Sequence, residues 1–114
     1  MKGCVFCDIA EGRAPATIVL EDPEVVAFRD LNPQAPVHVL VIPRRHIGSA
    51  ADLTEANDPL WGRMLRMAQS VAKQEGVAGR GYRLLTNIGR ESGQTVEHLH
   101  LHVLGGRRMT WPPG

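Results

Sequence analysis

Residues 98 to 104 read His-Leu-His-Leu-His-Val-Leu, with polar and apolar residues alternating strictly from His98 to Val103. A period of two is the signature of a β-strand, whose side chains at i, i+2 and i+4 share one face. The strand expected over 98–104 puts His98, His100 and His102 on one surface and Leu99, Leu101 and Val103 against a core. Upstream, Thr17 to Glu21 and Val25 to Arg29 read as two short strands around an Asp22-Pro23 turn. Val37 to Ile42 is a nearly continuous apolar run, as a strand buried on both faces requires, and Pro43 ends it. Tyr82 to Asn87 is a further strand, followed by a polar, glycine-containing loop from Ile88 to Gln94.

The segment from Asp52 to Glu75 reads as helical. There Leu60, Met64, Ala68, Val71 and Ala72 keep the spacing of one buried helical face. Asp58-Pro59 supplies an N-cap and first-turn pair, so the main helix is expected to begin there, and Gly76 stops it. Residues 4 to 11 read as a short helix ending at Gly12. Asn32 to Pro36 is a loop, because each proline biases the residue before it away from helix. Hairpins and one long helix in separate runs, rather than repeated βαβ units, predict an α+β domain with a mostly antiparallel sheet.

Composition bounds the partners. The 114 residues suffice for one domain, expected over 1–114, with a core that needs no staples. A net charge of +1 offers nucleic acid no electrostatic attraction. The longest apolar stretch, Val37 to Pro43, contains His38 and is far too short to span a bilayer. The first residues lack an apolar signal core, so a cytoplasmic protein without membrane or nucleic-acid partners is expected. Cys4 and Cys7 form a C-x-x-C, which in a reducing compartment means a metal half-site or a redox pair. Its position near the start of the chain, beside Phe6, argues against a thioredoxin-like role. With His46 and one triad histidine the pair could complete a Cys₂His₂ tetrahedron.

Geometry restricts the three histidines. Imidazoles two positions apart on a strand are about 6.6 Å apart at the backbone and the outer pair about 13 Å. Zinc–nitrogen bonds are only about 2.0–2.1 Å long, so a straight strand cannot bring all three to one ion. They must divide their labour. A neutral imidazole nitrogen is a nucleophile toward phosphorus or a metal ligand. The nucleophilic use needs an acceptor that fixes the tautomer, and donors for the phosphoryl oxygens. Asn87 and the following loop, with Gly93, Gln94 and Thr95, place such donors just upstream. Taken alone, Phe6, Ile9, Phe28 and Leu31 read as ordinary core residues, Asp30 as a turn former and His38 as a satisfied core histidine.

The segment His98-Leu99-His100-Leu101-His102-Val103-Leu104 resembles the signature of the histidine triad (HIT) superfamily. Phe28 to Pro36, Val41 to Ile47, Gly93 to Val96 and the tail Trp111-Pro112-Pro113-Gly114 are similar to its Hint branch. The resemblance implies a HIT-like fold with a five-stranded sheet, one long helix and a short N-terminal helix. It implies a purine nucleoside phosphoramidase that cleaves adenosine 5′-phosphoramidates to AMP and an amine through a nucleotidyl-histidine. By position, His100 would be the nucleophile, and His102 would bind the phosphoryl oxygens together with Asn87, Gly93, Gln94 and Thr95. His38 matches a further active-site histidine. Asp30 would take the ribose hydroxyls, and Phe6, Ile9, Phe28 and Leu31 would wall the purine. Bacterial-type members use a cysteine pair and two histidines for structural zinc, and those ligands match Cys4, Cys7, His46 and His98. No cofactor is implied for the chemical step itself.

Two features mark this chain within the resemblance. Threonine stands in the Gly-Gln-Thr segment where members often carry serine, and Arg29 falls where another member carries histidine. The resemblance also implies a homodimer joined through the long helix and an edge strand, with the tail from Met109 to Gly114 reaching toward the partner's site. Trp61, Leu65 and Met67 lie off the main helical stripe and are expected to add apolar surface for that contact. Three other readings stay open on sequence. They are a zinc hydrolase with its metal between His100 and His102, a non-catalytic nucleotide-binding protein, and a dinucleoside polyphosphate hydrolase of the same superfamily.

Overall fold

In the computed structural model, which describes residues 2–114, five antiparallel strands form one sheet. Met1, the first residue of the expected domain, lies outside the described residues. The elements in chain order are α1 (Val5–Ala10), β1 (Ile18–Glu21), β2 (Val25–Arg29), β3 (Val37–Pro43), α2 (Asp58–Gln74), β4 (Tyr82–Leu85) and β5 (Leu101–Gly105). The strand order is β1-β2-β3-β5-β4, so β2, β3 and β5 lie inside the sheet and β1 and β4 are its edges. This is the expected α+β architecture with one long and one short helix.

Alternation along the central strands sorts side chains onto two faces. Val25 and Ala27 of β2, Val39 and Val41 of β3, and Leu101 and Val103 of β5 pack with Leu60, Met64, Met67, Ala68 and Val71 of α2. The opposite face carries Val26, Phe28, Leu40 and Ile42, which pack with Phe6 and Ala10 of α1. That second face is where α1 is too short to cover the sheet, and there the polar site lies. Met67 belongs to the core and is only 9% exposed, so it does not supply the surplus apolar surface expected of it. Trp61 is also partly packed on the core, while Leu65 is exposed.

The helix α2 begins at Asp58, with Asn57 as its N-cap and Pro59 in the first turn, and two single 3₁₀ turns precede it. It ends where Gly76 takes φ +77°. Val77 N–H then bonds the Ala72 carbonyl and Gly76 N–H the Lys73 carbonyl, the paired bonds of a Schellman stop.

Three boundaries differ from the alternation. The ladder of β5 starts at Leu101 rather than His98, because Leu99 N–H is spent on the Ile47 carbonyl and the His98 carbonyl on the His100 ring. The strand β4 stops at Leu85, and the hydroxyl of Thr86 takes the His100 carbonyl where a ladder N–H would have continued. Pro43 is the last residue of β3, opposite Val25, rather than the first residue beyond the strand.

Candidate functional site

A cavity of about 440 Å³ opens on the α1 side of the sheet. Phe6 and Ile9 reach it from α1, Phe28 from the end of β2, and Asp30 and Leu31 from the loop that follows. His38 and Leu40 come from β3, His102 from β5, and His100 and Thr95 from the segment before β5. Leu31 is 95% exposed at the rim, a large apolar side chain with nothing packed over it. Asn87, Gly93 and Gln94 are not in the lining. Gln94 instead ties the loop together: its side chain accepts from Gly89 N–H and donates to the carbonyls of Gly48 and Val96. Gly93 ends the single 3₁₀ turn of that loop at φ +88°.

Sheet register explains which imidazoles meet. His38 pairs with Leu104 and Leu40 with His102, so His38 and His102 are diagonal neighbours on one face. Their rings lie 5.2 Å apart, and those of His100 and His102 5.0 Å apart. Phe6 packs edge-on against His100, His98 and Phe28, which seats α1 on the site. His98 leaves this group. It is fully buried and turns toward the cysteines, so the three histidines do divide their labour.

Hydrogen-bond partners fix where the ring protons sit. The backbone N–H of Gln34 donates to His38 Nδ1 at 3.0 Å, so that nitrogen carries a lone pair and the neutral ring is protonated at Nε2. That Nε2–H faces His102 Nδ1 at 2.9 Å and Asp30 Oδ2 at 3.4 Å. The shorter contact makes His102 Nδ1 an acceptor, which places its proton on Nε2. His102 Nε2 is buried and has no partner among the described residues. His100 has the opposite arrangement. Its Nδ1–H donates to the His98 carbonyl at 2.7 Å, leaving a lone pair on Nε2. The cavity thus holds two histidines of opposite polarity: His100 offers a nucleophilic nitrogen and His102 an N–H.

Both rings of the relay are held neutral. Burial lowers the pKa of His38 more than Asp30 raises it. Burial, then His100 and His38, brings His102 down to about 4 despite Asp30. Asp30 Oδ1 accepts from Asn32 N–H at 2.8 Å, leaving Oδ2 on the cavity side beside His38. Asp30, His38 and His102 bring three donor atoms within 4.8 Å of one another. Their protons argue for a hydrogen-bond relay over a metal site, because coordination through His38 Nε2 would drive its proton onto the nitrogen that already accepts from Gln34.

A second cluster lies behind the cavity. Cys4, Cys7, His46 and His98 converge so that all four ligand atoms lie within 4.8 Å of one another. His98 Nδ1 is 3.4 Å from Cys4 Sγ and 3.5 Å from Cys7 Sγ, and His46 Nδ1 is 3.4 Å from Cys7 Sγ. Bond lengths of about 2.3 Å to sulfur and 2.0–2.1 Å to nitrogen give a tetrahedral S···N edge of about 3.6 Å. The donor set and spacing fit a four-coordinate zinc. His98 Nε2–H donates to the Pro43 carbonyl at 2.8 Å, which leaves Nδ1 free to ligate. Burial keeps that ring neutral and raises the Cys7 thiol, so metal binding would have to displace the thiol proton.

Two contributors had no signal in the sequence. The Gln34 N–H is a backbone group in a loop, and nothing in the residue type announces it. Thr86 supports the His100 carbonyl from the end of β4, where a threonine reads equally well as a strand residue.

Residues 11–109 match the family described as HIT domain. The chain is 47% identical over 110 residues to an uncharacterized HIT-like protein of Synechococcus elongatus, covering 96% of each. It is 46% identical over 112 residues to a 14 kDa zinc-binding protein of Zea mays, covering 96% of this chain and 87% of that one. Among solved structures, a HIT family hydrolase from Legionella pneumophila superposes with a TM-score of 0.96 at 49% identity, covering 98% of this chain and all (100%) of that one. A HIT family hydrolase from Clostridium thermocellum gives 0.94 at 46% identity, covering 96% of each.

Proposed function

The chain belongs to the HIT domain family, and from that membership we propose that it is a hydrolase of purine nucleoside phosphoramidates. Its substrates are adenosine 5′-phosphoramidates such as AMP-lysine, and its products are AMP and the free amine. The observation that carries this reading is the opposite hydrogen-bond pattern of two histidines in one cavity: His100 spends Nδ1 on the His98 carbonyl, while His102 turns Nδ1 to His38 and leaves Nε2 unpartnered among the described residues. A phosphorus centre with a negative non-bridging oxygen needs a lone pair on one side and a donor on the other.

The purine lies between Phe6, Ile9, Phe28 and the rim residue Leu31, whose exposed side chain it covers. Asp30 accepts from the ribose hydroxyls. His102 Nε2–H binds a phosphoryl oxygen, with Thr95 at the same end of the cavity. His100 Nε2 then attacks phosphorus, the P–N bond breaks, and the departing nitrogen takes a proton from solvent. Nδ1 keeps its proton on the His98 carbonyl, which stabilises the positive charge of the nucleotidylated ring. Water attacks the same phosphorus and releases a proton to solvent, the P–His100 bond breaks with its electron pair returning to Nε2, and AMP leaves. Zinc at Cys4, Cys7, His46 and His98 supplies a structural cross-link between α1 and the segment before β5. The 14 kDa zinc-binding protein of Zea mays supports that assignment.

The same reading makes the protein a homodimer, with the exposed Leu65 of α2 and the free edge of β4 at the contact. Steady-state rates on AMP-lysine and on a dinucleoside polyphosphate test the substrate class. Faster cleavage of the P–N bond is expected, and His100→Ala should bind AMP without turning substrate over. Preference for the phosphoanhydride would reassign the protein to the dinucleoside polyphosphate hydrolases.

A further inference from the structure

We propose that the turn after β5, Gly106 and Arg107, positions the reaction by clamping the Gln34 loop and so fixing which nitrogens of His38 and His102 carry protons. The inference rests on the histidine-nucleophile reading above. Within the loop from Leu31 to Pro36, Gln34 Nε2–H donates to the Asn32 carbonyl at 2.9 Å, a bond that leaves the Gln34 backbone N–H and carbonyl to partners outside the loop. The loop's two prolines, Pro33 and Pro36, have no N–H to donate, and five of its six residues are exposed. Yet Gln34 N–H must stay within 3.0 Å of His38 Nδ1 to hold that ring in one tautomer.

Two contacts from outside the loop keep it there. Arg107 Nε–H donates to the Gln34 carbonyl at 3.0 Å. Gly106 takes φ +88° and lies flush against Pro36, where a Cβ would come within 2.9 Å of the Pro36 Cβ. The same residue, Gln34, therefore receives Arg107 on its carbonyl and gives its N–H to His38. If the loop recedes, the Nε2-protonated form of His38 loses one of the contacts that favour it and keeps only Asp30 Oδ2 at 3.4 Å and His102, so the Nδ1-protonated form gains weight. In the form protonated at Nδ1, His38 Nε2 accepts from His102 Nδ1–H, and His102 Nε2 turns a lone pair toward the phosphoryl oxygen. Donor becomes acceptor, and the transition state loses its charge stabilisation.

Four variants test the clamp. Arg107→Ala removes the donor, Arg107→Lys keeps one, Gly106→Ala pushes on Pro36 from the opposite direction, and Arg108→Ala removes a neighbouring charge that has no bond to Gln34. The first measurement is the ring ¹⁵N spectrum of His38 and His102 in the nucleotide-free protein, which needs no turnover. One tautomer is expected in wild type and Arg108→Ala, with mixed tautomers in Arg107→Ala and Gly106→Ala and restoration in Arg107→Lys. The second is turnover of AMP-lysine. For Arg107→Ala kcat should fall roughly three- to tenfold, the worth of one hydrogen bond, with a smaller change in KM. Unchanged tautomers, or an equal fall in Arg108→Ala, overturn the clamp. Mixed tautomers in the variants, alongside a wild type that does not cleave the P–N bond, would leave the clamp standing and remove the phosphoramidase reading.

Discussion

His102 shows how far chemistry is set by neighbours rather than by residue type. Its ring is held neutral to about pH 4, against 6.5 for an exposed imidazole. Between those values the unfolded chain binds more protons than the folded one, so stability falls as pH drops from about 6.5 toward 4. The melting temperature should decline across that window, and an NMR titration of His102 should show no protonation until near its lower end. Titration of His102 near 6.5 would contradict the buried relay. Alternation in the sequence was enough to put three imidazoles on one face. It could not tell which nitrogen of each ring carries the proton, because that depends on Gln34 N–H and on the His98 carbonyl, both backbone groups.

Secondary elements were legible to the extent that their own residues decide them. The helix α2 follows from the spacing of Leu60, Met64, Ala68 and Val71, and its end from Gly76. Met64 is completely buried on the face of the sheet opposite the cavity. Met64→Ala should cost about 2–5 kcal/mol in urea unfolding while leaving AMP binding intact, since the cavity lies on the other face. The start of β5 was not legible, because partners distant in sequence take its first backbone groups. The helix α1 is only six residues long, far below what is stable alone. It is held by Phe6, Ala10 and the Cys4/Cys7/His46/His98 cluster. Stripping metal from the purified protein should lower the melting temperature by at least about 5 °C, the effect of roughly 1 kcal/mol in a domain of this size. Amide exchange should accelerate in α1 before the core strands. An unchanged melting temperature after verified metal loss would sink the structural role.

As a whole molecule, the protein places its histidine-lined cavity and its Cys/His cluster on one side of a sheet whose other side is ordinary core. The overall architecture could be read from the run of hairpins and one long helix. The surface could be read only in part, since Leu65 is exposed as expected but Met67 is drawn into the core, while Leu31, Ile88 and Trp111 are left exposed. Light scattering at micromolar concentration should give twice the chain mass; a clean monomer would rule out the homodimer. The chemistry is tested most directly by AMP release from AMP-lysine, comparing wild type with His100→Ala and treating each with a chelator. Turnover that survives the chelator in wild type and vanishes in His100→Ala is the predicted result. Turnover lost to the chelator while the fold persists would move the reaction onto a metal and contradict a histidine nucleophile.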